Sequence, residues 1–153
     1  MLLEGFKNRL QQHGYDCLVM CCKLILDSLG IERSEKWLWN QLVASSGDVC
    51  VFTNVTKLSD ALGIVVDLEI NGAIEDFAQY IELGLPVIVA VDGDISTDWP
   101  YYQNHAVVVI GFDDDYVYVN DPAQPETGLR IENINFLHAW QPRDYQYAVL
   151  RLV

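Results

Sequence analysis

The order of elements in this sequence predicts an α+β fold, an N-terminal helical half packed on a C-terminal antiparallel sheet. Three observations carry that expectation. Helix-spaced apolar residues fill the stretch before Gly63, and Val- and Ile-rich runs dominate after it. Two of those runs are joined by Asp113-Asp114-Asp115, which reads as the tip of a β-hairpin. Helices and strands are therefore segregated rather than alternating. With 153 residues and neither a linker nor a repeat, one domain spanning 1–153 is expected.

The first helix follows Asp16, which can cap it, and ends at Gly30. Between them Val19, Cys22, Ile25, Leu26 and Leu29 recur at the spacing of a core-facing helix. Ser34 can cap a second helix running to about Ala44, and Thr53 to Leu62 reads as a third, stopped by Gly63. Ile64 to Ile70 is β-rich, and Asn71 is placed to cap a helix ending at Gly84. Pro86 to Val91 is a buried strand, short, apolar and bounded by turn residues. The polar and aromatic stretch 92–103 is a loop, with Trp99 placed to line a substrate cleft. His105 to Phe112 and Tyr116 to Asp121 form the hairpin. A strand at Leu129 to Glu132, a helix from Asn133 to Trp140 and a closing strand from Tyr145 complete the chain.

Composition narrows the function. Nine basic residues against 22 acidic ones give a formal charge of -13, a surface that repels phosphate backbones and anionic lipid. Nucleic acid is not expected as a partner. No apolar run approaches the ~20 residues of a membrane span, and the N-terminus lacks the pattern of a signal peptide. A cytoplasmic protein is expected. Three of the four cysteines, Cys17, Cys21 and Cys22, crowd into six positions, which suits reduced thiols better than a disulfide framework. No cysteine–histidine spacing completes a zinc set, and the Asp113–Asp115 run lacks the glycine and distal glutamate of a calcium loop. Neither metal nor cofactor is expected.

The reactive candidates are Cys17, His105 and Asp121. Cys17 opens a helix, where the positive end of the dipole stabilises a thiolate, although the charge of Asp16 opposes this. His105 opens a Val-rich strand, and Asp121 closes the partner strand just before Pro122. With the turn centred on Asp114, residue 107 faces 121, and His105 and Asp121 share a face on the diagonal. A shift of two sets them directly opposite. Either register brings their Cβ atoms to roughly 5 to 8 Å, while a slip of one residue moves them to opposite faces. A carboxylate so placed can orient an imidazole toward a thiol, as a nucleophilic triad requires. Gln11 and Gln12, six and five residues before Cys17, are rival side-chain donors to an oxyanion.

The segment from Gln11 to Cys22 resembles the nucleophile motif of the bacteriocin-processing cysteine peptidases, papain-like domains that cut leader peptides after a double glycine. Asn104 to Gly111 and Val117 to Ala123 resemble their histidine and aspartate motifs, and Phe136 to Trp140 with Tyr147 to Leu150 their tail. The resemblance implies a papain-like fold, a peptide or protein substrate and no cofactor. It implies Cys17 as nucleophile, His105 as base, Asp121 as orienter and Gln11, by its spacing, as oxyanion donor. Leu18 stands where the family usually has Gly, and the chain carries neither the membrane segments nor the nucleotide-binding loop of the exporters to which well-known members are fused. Two other functions are compatible with the same residues: an acyltransferase or deamidase using the same triad, and a peptide-binding module of the same fold that turns over weakly.

Overall fold

A computed structural model describes residues 1–93 and 102–153. The cleft-lining role expected of Trp99 falls outside the described residues. Three helices come first: α1 (Cys17–Ser28), α2 (Glu35–Leu42) and α3 (Lys57–Leu62), the last preceded by a 3-10 turn at Phe52–Thr56. Then follow β1 (Val65–Glu69), a 3-10 turn at Ile74–Asp76 running into α4 (Phe77–Ile81), and β2 (Val87–Gly93). The hairpin strands are β3 (Tyr102–Phe112) and β4 (Tyr116–Asn120), followed by β5 (Leu129–Glu132), α5 (Asn133–Trp140) and β6 (Tyr147–Arg151). The six strands make one sheet in the order β1-β6-β2-β3-β4-β5, and every described pairing is antiparallel.

The helical half packs on one face of the sheet, as expected. Leu18, Cys22, Ile25 and Leu26 of α1 meet Ile88 and Ala90 of β2 and Ala106, Val108 and Ile110 of β3. The intervening residues, Val87, Val89, Val107 and Val109, face a second core with Phe77, Phe136 and Trp140 from α4 and α5. Strands buried on both faces read as continuous apolar runs, which is the physical reason for Val-Ile-Val-Ala-Val and Ala-Val-Val-Val-Ile. The sheet is thus a middle layer.

Three expected caps differ. Asp16 occupies the position before α1, but its carboxylate accepts the His13 N–H at 3.2 Å instead of capping the helix. Asn71 adopts a left-handed φ of 54° and stands outside the helix it was expected to cap; the Asp76 carboxylate takes that place, accepting from Ala73 N at 2.8 Å. Asn133 is the first residue within α5, and its side chain donates to the Asp114 carbonyl at 3.0 Å. Ser34 does cap α2, accepting from Trp37 N at 3.0 Å.

The β3–β4 hairpin departs from simple pairing. Near its tip Phe112 faces Val117 and Gly111 faces Tyr118, whereas further out Val109 faces Val119 and Val108 faces Asn120. Ile110 is the extra residue, a β-bulge. Continued one pair, the outer register sets Val107 against Asp121, the arrangement expected for a turn centred on Asp114. The tip register, continued without the bulge, would set Val108 there and carry Asp121 to the other face.

β3 runs past the start of β2, and the N-terminal segment fills the vacant edge. Leu3 N donates to Ile110 O at 2.7 Å and Phe112 N to Met1 O at 3.1 Å. The two chains come so close at Gly111 that a Cβ there would lie 2.4 Å from Met1 O and 2.8 Å from Leu2 Cα. Gly111→Ala is therefore expected to lose about 1–3 kcal/mol in urea denaturation, the usual cost of forcing atoms into a packed site. An unchanged midpoint would show that the N-terminal segment does not pack on Gly111.

Candidate active site

His105 and Asp121 meet directly. His105 Nε2 lies 2.7 Å from Asp121 Oδ1, with His105 5% exposed and Asp121 fully buried. The same Oδ1 accepts from Ala123 N at 2.9 Å, so the carboxylate is held by strand and following turn together. A buried carboxylate needs such partners, because desolvation without them costs several kcal/mol.

Cys17 begins α1, where the N–H groups of the first turn have no acceptor within the helix. It interacts with the His105 side chain, and its Sγ lies 3.7 Å from the Asn104 carbonyl. Burial opposes charging of the His105 ring, but hydrogen bonds and negative charge from Asp121 and Cys17 outweigh it and raise its pKa from 6.5 to about 9. The other thiols are pushed the opposite way from reactivity. Burial above all lifts Cys21 and Cys22 well above the ordinary thiol range and Cys50 up to about 12.

Asn104 is a residue to which the sequence reading gave no role. It takes a left-handed φ of 51°, a conformation Asn tolerates better than most residues. Its N–H donates to Asp92, whose carboxylate is 3.7 Å from Arg143, and its side-chain amide donates to Cys50 O at 3.2 Å. These bonds fix the backbone turn that presents the Asn104 carbonyl to Cys17 and starts His105. Asn8 acts similarly on the Asp121 side: its amide donates to Asp121 O at 2.8 Å and Gln124 O at 2.6 Å. Asn120 donates to Phe6 O at 2.7 Å and accepts from Gly128 N at 2.8 Å. An Asn immediately before His105 was visible in the sequence, but nothing local says that it adopts φ > 0.

A cavity of about 330 Å³ opens over these groups, walled by Gly14, Tyr15, Cys17, Leu18, Cys50, Phe52, Gln103, Asn104, His105 and Arg143 among others. Gln11 is not among its walls. The Gln11 amide donates to His13 O at 2.5 Å, and its Oε1 is buried with no hydrogen-bond partner among the described residues. Gln12 is exposed. The structure thus brings Cys17, His105 and Asp121 together and leaves Gln11 turned into its own loop. Among the described residues no group of three or more His, Cys, Asp or Glu side chains is arranged to hold a metal ion.

The raised pKa of His105 has a consequence for stability. A histidine at 6.5 when unfolded and about 9 when folded contributes stability fully below pH 6.5, and that contribution is lost as pH rises through 9. The unfolding free energy from urea denaturation is expected to fall across that interval by an amount on the order of a few kcal/mol. His105→Gln should flatten the fall; an equally steep profile in that variant would assign the pH dependence to other groups.

The sequence matches the profile of the Peptidase_C39 like family over residues 5–148. No curated protein matches it. Among solved structures, the fold is similar to a protein named as a C39-like peptidase from Bacillus anthracis, with a TM-score of 0.76 at 17% identity, covering 97% of this chain and 96% of that one. It is equally similar to the peptidase domain of Streptococcus ComA, a bifunctional ABC transporter involved in quorum sensing (TM-score 0.76, 18% identity, 97% and 100% covered). A double-glycine motif protease from an AMS/PCAT transporter, solved with its leader peptide, follows at TM-score 0.71 and 17% identity, with 99% and 94% covered. At such identities the structures speak for the fold, an α+β domain of helices and an antiparallel sheet, while the sequence profile spans nearly the whole chain: this protein belongs to the Peptidase_C39 like family.

Proposed function

We propose that this protein is a cysteine peptidase that cleaves a peptide amide bond through Cys17, His105 and Asp121. The observation that carries the reading is the buried 2.7 Å contact between His105 and Asp121, with Cys17 and His105 lining one cavity. Nε2 is engaged by Asp121, which leaves Nδ1 for the thiol. His105 takes the Cys17 proton, giving a thiolate beside an imidazolium that Asp121 stabilises. The thiolate attacks the carbonyl carbon, and the Cys17 backbone N–H at the head of α1 donates to the developing oxyanion. The C–N bond breaks as the imidazolium protonates the amine. Water, deprotonated by His105, then attacks the thioester, releasing the acid and restoring the thiol.

The substrate on this reading is a peptide or protein met in the cytoplasm. A double-glycine leader is the first type to try, because the similar structures include a double-glycine protease solved with its leader peptide. No described helix is long and apolar enough to cross a membrane.

Gln11 favours a second reading, a peptide-binding module with weak turnover. Its amide is committed to His13 O, away from the cavity walls. The oxyanion role proposed for Gln11 requires that amide to turn toward Cys17 when a substrate binds.

Alkylation separates these readings. Iodoacetamide should modify Cys17 below pH ~7 far faster than Cys21, Cys22 and Cys50, and His105→Ala should abolish the advantage. Equal rates at all four sites would remove the thiolate–imidazolium pair, and the binding module would become the better account. For peptide cleavage, Asp121→Asn is expected to lower kcat by about 10²- to 10⁴-fold, because the amide no longer stabilises the imidazolium. Gln11→Ala should lower kcat by about 10-fold or more if its amide turns toward the oxyanion, and leave it unchanged if it stays on His13.

A further inference from the structure

A second recess lies beside the Cys17 cavity and shares the ring of Tyr15 with it. It encloses about 600 Å³, and its walls include Tyr15, Trp39, Val19, Asp16, Glu35 and Asp48. Three of its rings are in contact: His13 stacks on Tyr15 with centroids 5.2 Å apart and planes 3° apart, and Tyr15 and Trp39 meet edge-to-face with centroids 5.1 Å apart. Tyr15 is half exposed, so this wall is open to a ligand.

Charge is the second feature. Three carboxylates line the recess against one lysine, Lys36. Asp16 is only 7% exposed; its Oδ2 takes the His13 N–H, while Oδ1 is buried with no hydrogen-bond partner among the described residues. A carboxylate in that position is costly unless a cation or donor meets it. Among the described residues none does so, and Gln11 Oε1 is a second buried acceptor without a partner among them.

Rings, an unpartnered buried carboxylate and an apolar floor at Val19 together suit one kind of ligand. A Lys or Arg side chain lays its methylene stem on apolar surface and its charged head against ring faces and carboxylates. We infer that this recess binds a basic side chain of the peptide substrate, setting a preference for Lys or Arg near the bond presented to Cys17. The inference rests on the peptidase reading for the word substrate, and on the recess alone for the cation. The formal charge of -13 favours the same ligand by drawing cationic peptides to the surface.

Two measurements on the full chain test it. In the first, the Trp39 indole N–H resonance, assigned with Trp39→Phe, is followed while Nα-acetyl-arginine amide is added, with the citrulline analogue as a neutral isostere. A saturable shift with arginine, at least roughly tenfold weaker with citrulline, is expected from cation–ring and charge recognition. Asp16→Asn should weaken it, as should Glu35→Gln, an exposed position where misfolding is not expected. Equal shifts with the two probes, or none, overturn the cation site whatever Cys17 does. In the second, tetrapeptide chloromethyl ketones carry arginine or citrulline at each position in turn, and Cys17 modification is timed by intact mass. Faster labelling with arginine at one position, lost in Glu35→Gln, supports the subsite. Arginine that binds in the first experiment but never accelerates labelling overturns its place in the substrate cleft. Cys17 left unlabelled by every ketone, with the indole shift intact, overturns the peptidase reading and leaves the cation site supported.

Discussion

One extra residue in β3 decides on which side of the sheet the Asp121 carboxylate lies. Without the bulge at Ile110, the pairing that starts at the hairpin tip would direct Asp121 away from His105. With it, the two side chains share a face and meet at 2.7 Å. The bulge is held by backbone. The N-terminal segment bonds Ile110 and Phe112 from the free edge of β3, and only glycine at 111 lets the chains approach so closely. Asn8 and Asn120 extend that support, tying the same segment to the turn after β4. The N-terminal residues thus belong to the site although none of them lines it.

Burial then sorts the titratable groups. Asp121 is fully enclosed, and its Oδ1 meets both His105 Nε2 and the Ala123 N–H. The four cysteines are all buried, but only Cys17 stands at a helix start with an imidazole beside it. Cys21 and Cys22, one turn further into α1, are enclosed by the core and lifted out of the reactive range. The same helix therefore supplies a candidate nucleophile from its first residue and core packing from the next turn. Asp16, adjacent in sequence, is the exception to this economy, a buried carboxylate with one oxygen unmatched among the described residues.

Much of this was legible in the residues. Helix spacing placed α1 and α2 to within a few positions, and the three-aspartate tip placed the hairpin: Asp113 accepts from Asp115 N, Tyr116 N and the Tyr118 hydroxyl, which is why a polar tip closes there. The expected two halves leave out a third layer: α4 and α5 cover the second face of the sheet, and a strand buried on both sides has no alternation by which to count its layers. The cap positions of Asp16, Asn71 and Asn133 were misread for a common reason: short polar side chains serve several backbone partners, and which one is near depends on the fold.

By itself the sequence determined the element types, the antiparallel hairpin and the set Cys17, His105 and Asp121 as residues able to form a triad. Those follow from periodicity, turn chemistry and the strand-ending proline, all local properties. Tertiary structure decided the rest. The bulge chose one of the registers the loop allowed, Asn104 took φ > 0 under bonds from Asp92 and Cys50, and Gln11 turned to the His13 carbonyl. Each of these is a choice between nearly equal local conformations. It is settled by contacts from residues far apart in the chain, which no short window of sequence contains.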